Sequence, residues 1–235
     1  MSKPISAGIA ERVPLSRERV LACAITVADG GGIGALTIRT LAQELGVKPM
    51  SVYHYVANKD EIIDGIVDLV YAEITLPAPG GDWRQEMRLR ANSARRVLAN
   101  HPWATPLLQS RLNPGTATLR HHNAFVATLR AAGFSVELTA HAFALIDSYV
   151  FGFALSENAL PIHGPDSVAD TAASMMHFFD AEAYPALLEF TMEHVMRPDY
   201  DFGEEFSYGL DLIFDGLARA VPNNARKTRS DRASP

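Results

Sequence analysis

Apolar positions recur every three to four residues in one segment of this chain after another, and no useful length shows the two-residue alternation of a strand. Val20, Cys23, Ala24, Val27 and Ala28 mark one face of a first helix, opened by Ser16 as N-cap and stopped by Gly30-Gly31-Gly32. Thr37 caps a second helix running to about Leu45, and a third covers Pro49 to Val56. Asn58 caps a fourth, with the stripe Ile62, Ile63, Ile66, Val67, Val70 and Ile74. Residues 77–81, Pro-Ala-Pro-Gly-Gly, break the pattern and form the clearest hinge candidate. A fifth helix then starts at Asp82 and runs through Ala99. Shorter helical stretches follow at Thr105–Leu112 and Thr116–Ala132, and a long eighth helix runs from Val136 to about Asn158. Residues 167–179 read as partly helical, and Ala181–Met196 and Phe202–Val221 supply the last two helices. The expected fold is all-α: a three-helix head over 16–60, a larger helical body over 61–221, and a polar tail over 222–235 expected to be disordered. About nine or ten helices are expected in all.

The stretch Leu36–Lys59 organises the rest. Apolar residues at Leu41, Leu45, Val47, Val52 and Tyr55 share one register with the small Ala42 and with Gly46. A helix-turn-helix needs a small residue where its second helix crosses the first, and a turn residue that tolerates positive φ. Pro49 suits the first turn of the following helix, where its missing N–H costs nothing. Each feature alone is weak, but together they are specific.

Charge sharpens this picture. The formal net charge is −6 over 235 residues, with 48% hydrophobic and 20% charged content, as in globular chains. Residues 1–59 hold seven Lys/Arg against four Asp/Glu, residues 60–221 ten against twenty-two, and the last fourteen four against one. A mildly basic head on an acidic body favours docking on phosphate through the head alone. The single Cys23 rules out an internal disulfide framework and suits a reducing cytoplasm. The N-terminus lacks the apolar core of a signal peptide, and no apolar run is expected to reach the roughly 20 residues of a membrane span, so a cytoplasmic protein without membrane contact is expected.

Thr37, Arg39, Leu41, Ala42, Leu45, Gly46, Val47, Tyr53, Val56, Asn58 and Lys59 resemble the DNA-binding signature of the TetR-type transcriptional repressors, over about Ser16 through Tyr71. A looser likeness, through Trp83, Arg95–Arg96 and GFSVELTAHAFALIDSYVFGFAL, points to the subgroup with a tetracycline-repressor-like C-terminal domain. The resemblance implies a repressor released from its operator by a small-molecule effector. Lys48, Pro49, Met50, Ser51, Tyr53 and His54 are the side chains that a recognition helix would carry into the major groove. Tyr53 and Lys59 resemble phosphate contacts, and Thr37 and Arg39 would hold the second helix on the backbone, Arg39 alternatively reaching a guanine edge.

A pseudo-palindromic operator and a homodimer follow from the same resemblance. The expected interface joins the eighth and last helices through Phe143, Tyr149, Val150, Phe206, Leu210, Ile213, Phe214 and Leu217. The effector pocket is expected between helices five to eight, with Trp83, Met87, Arg90, Trp103, His121, Phe125, Tyr149, Phe153 and His177 as candidates. The subgroup's metal-coordinating histidine is absent where Leu108-Gln109 stands, and no histidine pair has metal-ligand spacing beside an acid, so no metal or cofactor is expected. No nucleophile elbow, phosphate loop or zinc-protease motif supports an enzyme. The rivals are a helical adaptor that has lost specific DNA binding and, behind it, an all-α enzyme.

Overall fold

The computed structural model describes residues 14–160, 180–197 and 199–221, and among these there is no strand. Helices α1 (Arg17–Ala35), α2 (Ile38–Glu44) and α3 (Pro49–Val52) form the head. Helix α4 (Lys59–Glu73) leads into the body, which continues with α5 (Trp83–Asn100), a 3-10 turn (Pro102–Ala104) and the short α6 (Thr105–Leu108). Helices α7 (Thr116–Ala131), α8 (Val136–Ala159), α9 (Pro185–Phe190) with a π turn (Thr191–Val195), and α10 (Phe202–Ala220) complete it. The expected partial helix at 167–179 and the tail at 222–235 lie outside the described residues.

The N-caps are those the sequence announces. Ser16, Thr37, Asn58, Asp82 and Ser135 each accept a backbone N–H of the first turn they precede. This satisfies donors that have no partner inside the helix. Three boundaries differ from expectation. The glycine run does not end α1 outright: Gly32, at φ 71°, kinks it, and one further turn reaches Ala35. Helix α3 stops at Val52 rather than Val56, and the stretch 181–196 is a short helix relaxing into a π turn.

Helix α1 packs on α2, on α4 and on the 3-10 turn, so it joins head to body. Val20, Ala24, Leu41, Val52, Ile62 and Ile66 are fully or almost fully buried in this layer. In the body, α8 lies against α5, α7 and α10, and α4 lies against α7. The expectation that no apolar run could span a bilayer is corrected here: α8 is long and apolar enough by length and composition. Its apolarity has another use. Ala142, Ile146, Val150 and Ala154 are buried among the neighbouring helices, while Leu145 and Leu155 stand exposed on the outer face.

Helix α4 is fastened to the body by a row of carboxylates one turn apart. Arg111 reaches Asp60 and Asp64, and the Asn113 amide donates to Asp64 at 3.2 Å. Asp68 caps α7 from outside that helix: its Oδ1 accepts from the Thr118 N–H at 2.7 Å and hydroxyl at 2.8 Å, its Oδ2 from the Ala117 N–H at 3.2 Å. Gly115 permits this approach, since a Cβ there would lie 2.2 Å from the Asp68 carboxyl carbon. A second polar clasp ties α1 to the body. Asp29 accepts from Trp103 Nε1 at 2.7 Å and pairs with His101 Nδ1 at 2.7 Å, while His101 Nε2 faces Glu73 at 3.3 Å.

Candidate nucleic-acid interface and body cavity

The head's turn is fixed by backbone chemistry. Helix α2 ends with the Val47 N–H on the Ala42 carbonyl at 2.9 Å and the Gly46 N–H on the Gln43 carbonyl at 3.1 Å. That crossed pair is a Schellman motif, which requires a left-handed residue between the two helices. Gly46 supplies it at φ 65°. Ala42 is 2% exposed, and its small side chain leaves room for the fully buried Val52 of α3. Pro49 occupies the first turn of α3, after Lys48 as an N-cap without a side-chain hydrogen bond.

This packing turns the rest of α3 outward. Met50 is 71% and Tyr53 46% exposed, and Lys48, Pro49, His54 and Lys59 are exposed beside them, with Ser51 half-buried. Arg39 is exposed on α2, and Thr37 is held there by its cap to the Thr40 N–H at 3.0 Å and by the Thr40 hydroxyl at 2.8 Å. All nine expected contact residues therefore lie on or flank α2 and α3. Among the described residues, Arg39, Lys48 and Lys59 form no ion pair. Tyr55, 36% exposed, is the apolar residue of the stretch that does not join its core.

The body holds a cavity of about 300 Å³ between α4, the 108–118 segment, α7 and α8. Tyr71, His122, Phe143 and Phe151 wall it, and Asp64, Arg111, Asn113 and Thr118 line the side toward α4. Asp147 of α8, only 4% exposed, forms part of its inner surface. Behind Asp147 lies Arg90, fully buried, with Nη2 2.6 Å from the carboxylate, Nε donating to His121 Nε2 at 3.3 Å, and the guanidinium 4.8 Å from the Phe125 ring centre. Burial, then the charge of Arg90, depresses the His121 pKa to about 3, so its ring is neutral. Because Nε2 accepts, the proton sits on Nδ1, which has no hydrogen-bond partner. Burial raises the Asp147 pKa, opposed by the arginine beside it.

The expected pocket residues are not the ones that line this cavity. Met87 and Phe125 are core; Arg90 and His121 form the layer behind Asp147. Trp83 packs edge-on against Phe134 and Phe214, and Trp103 belongs to the Asp29 clasp. Tyr149 and Phe153 turn toward α10: the Tyr149 hydroxyl donates to the Glu205 carbonyl at 2.9 Å, and Phe153 stacks on Phe202. His177 lies outside the described residues. The expected interface residues take several positions. Val150, Phe206, Leu210, Phe214 and Leu217 are buried in the chain's own core, Ile213 and Tyr149 pack against it half-buried, and Phe143 lines the cavity. The large apolar residues that α8 and α10 present outward are Val136, Leu145, Leu155, Tyr208 and Leu212. The missed signal was Asp147, an acid in the middle of an apolar helix.

Comparison with known proteins places this geometry. Residues 20–66 match the family model for bacterial regulatory proteins of the tetR family, and residues 76–221 match the tetracyclin repressor-like C-terminal domain. An HTH-type transcriptional regulator of Saccharopolyspora erythraea is 32% identical, over 87% of this chain and 85% of that one. The HTH-type transcriptional repressor DrrR1 of Streptomyces coeruleorubidus is 29% identical over 86% and 77%. Among solved structures, the TetR family protein ActR of Streptomyces coelicolor in complex with actinorhodin superimposes with a TM-score of 0.74, at 26% identity, over 89% of this chain and 98% of that one. The helix-turn-helix head, the helical body and both family models agree, and the chain belongs to the TetR family of DNA-binding transcriptional regulators.

Proposed function

We propose that the chain is a repressor that binds a pseudo-palindromic operator as a homodimer and leaves it when a small molecule fills the body cavity. The observation that carries this is the outward face of α2 and α3, where nine polar, cationic or apolar side chains surround a turn locked by Gly46. Residues 16–60 act as the DNA-binding head and 61–221 as the ligand-binding and dimerisation body. Ser51, His54 and Met50 would read base edges, while Thr37, Arg39, Tyr53 and Lys59 hold phosphate, with Lys48 and Pro49 setting the approach of α3. A dimer would place two heads in successive major grooves about 34 Å apart. Its surface is the exposed face of α8 and α10, carrying Leu145, Leu155, Tyr208 and Leu212. Relatives support ligand control, since ActR was solved with actinorhodin bound. The protein would act in the cytoplasm and catalyse no reaction.

Selection of bound fragments from random DNA, followed by band shifts on the enriched sequence, tests this reading. A two-fold sequence bound by the parent dimer is expected, with Leu212→Glu reducing both dimer and operator binding. A folded, dimeric protein that enriches no sequence at low salt would overturn it.

A further inference from the structure

The clasp between α1, α4 and the turn at 101–104 joins three elements through one ring. Asp29 is the last residue of α1 before its glycine run, and Glu73 is the last residue of α4. His101, only 8% exposed, stands between them: Nδ1 is 2.7 Å from Asp29 Oδ1 and Nε2 is 3.3 Å from Glu73 Oε2. An ionised carboxylate accepts hydrogen bonds and donates none, so only an imidazolium, with two N–H groups, satisfies both contacts at once. A neutral ring keeps one. The shorter contact holds that proton on Nδ1, where Trp103 Nε1 also donates to Asp29 Oδ1 at 2.7 Å and fixes its carboxylate. The Nε2 lone pair then faces the Glu73 carboxylate, and the tie to α4 is lost while the tie to α1 remains.

No other charge intervenes. Among the described residues, neither Asp29 nor Glu73 pairs with an arginine or lysine. Helix α6 carries no ionisable side chain, and the charged side chains of α5 pair elsewhere. The Trp103 ring lies edge-on at 6.1 Å and is uncharged. Burial opposes a charge on His101, but the hydrogen bonds and charges of Asp29 and Glu73 outweigh it, so its pKa lies above the ordinary 6.5.

Helix α4 carries the head at its other end. Its fifteen residues begin with Lys59, and a rise of about 1.5 Å per residue sets Glu73 roughly 21 Å away. Arg111 and the start of α7 hold the acids nearer the head, so losing Glu73 loosens the strut without detaching it. A dimer must present two recognition helices to grooves about 34 Å apart at the same time. A head on a loosened strut samples more orientations, and docking it costs more entropy.

We propose that His101 is a proton-operated joint between head and body: as the imidazolium it fastens the end of α4, and its deprotonation loosens the heads and weakens operator binding. It is a positioning residue, acting on DNA through α4. This rests on the dimeric operator complex proposed above.

The experiment uses the full-length protein, an operator fragment enriched from random DNA, and fluorescence anisotropy from about pH 6 to 9 at constant ionic strength. Parent affinity is expected to fall about fivefold across this range, the net worth of one hydrogen bond. His101→Gln, which cannot be protonated, should bind at every pH as weakly as the parent does at high pH. Glu73→Ala, which removes a half-exposed side chain, should do the same. Glu73→Gln separates the joint from a purely structural role. Its amide accepts from the imidazolium and donates to the neutral ring, so the tie survives deprotonation and binding should stay tight throughout. Other titrating groups, His54 on α3 among them, are common to all four proteins and cancel in the comparison. A second readout needs no DNA. Hydrogen exchange of the amides from Val70 to Leu76, corrected for the intrinsic rate, should quicken with pH in the parent and not in Glu73→Gln. A parent profile that matches His101→Gln, or a Glu73→Gln protein that loses affinity with pH as the parent does, would overturn the joint. If the parent bound no operator at any pH, the repressor reading would fall. The exchange profile would then decide the joint by itself, and one unchanged by pH would overturn it.

Discussion

Five cations of the body and three of the head meet different surroundings. In the body, Arg84, Arg88, Arg90, Arg95 and Arg111 are each held by a carboxylate of another helix, so their charges set how helices sit against one another. In the head, Arg39, Lys48 and Lys59 stand exposed with no ion-pair partner among the described residues. A charge already matched inside the protein has little left to offer a ligand, whereas an unmatched one on a convex, rigid face can release counterions from DNA. The acidic body and the basic head suit the proposed arrangement, in which phosphate would be met at the head.

The contrast can be broken at its strongest point first. Arg90→Ala strands Asp147 in the core, and a loss of about 3–5 kcal/mol in urea unfolding is expected, since breaking a buried pair leaves a charge unpaired. Replacing both partners with Met and Leu should restore most of that loss. If the single and double variants were equally unstable, the ion pair would not be what holds Asp147.

The head should behave differently. Lys59→Ala is expected to lower the slope of log affinity against log salt by about one, while stability stays within about 0.5 kcal/mol of the parent. A stability loss without any change in slope would show that this lysine belongs to the fold.

The smallest effect concerns His101, which joins the two regions. Burial disfavours its charged form, but hydrogen bonds and charges from Asp29 and Glu73 outweigh that, and its pKa is raised above the ordinary 6.5. A raised folded-state pKa stabilises fully below the unfolded value and is lost as pH climbs through the folded one. The parent should therefore lose some stability as pH rises from about 6.5 through that raised value. His101→Gln should flatten this dependence, as thermal melts across that range would show. An unchanged profile would mean that the clasp does not depend on the ring's charge.

How legible each region was follows from the range of the interactions that build it. The turn between α2 and α3 depends on residues within seven positions of one another, so Ala42, Gly46 and Pro49 announce it. The faces of α8 and α10 depend on which helices arrive against them. Helix α8 is apolar nearly all round and offers no phase, so the sequence does not separate Phe143, which lines the cavity, from Tyr149, which turns toward α10. The stripe of α10 is apolar, and Phe206, Leu210, Phe214 and Leu217 of it are buried in the chain's own core. Tyr208 and Leu212 lie outside that stripe and are exposed. Asp147 was visible all along as an acid among apolar residues. Only the packing of α5 behind it reveals why it is there.

The acids of α4 bear on how such proteins can be recombined. Asp60, Asp64 and Asp68 lie on a helix that follows the head in sequence, yet their partners are Arg111, Asn113 and the start of α7. The family model for the head ends at residue 66, between the second and third of these acids. A chimera joined there would inherit Asp64 from one parent and Asp68 from the other. A junction before Lys59 keeps the row intact: it would carry the proposed base readers Met50, Ser51 and His54 with the head and leave Lys59, a proposed phosphate contact, with the body.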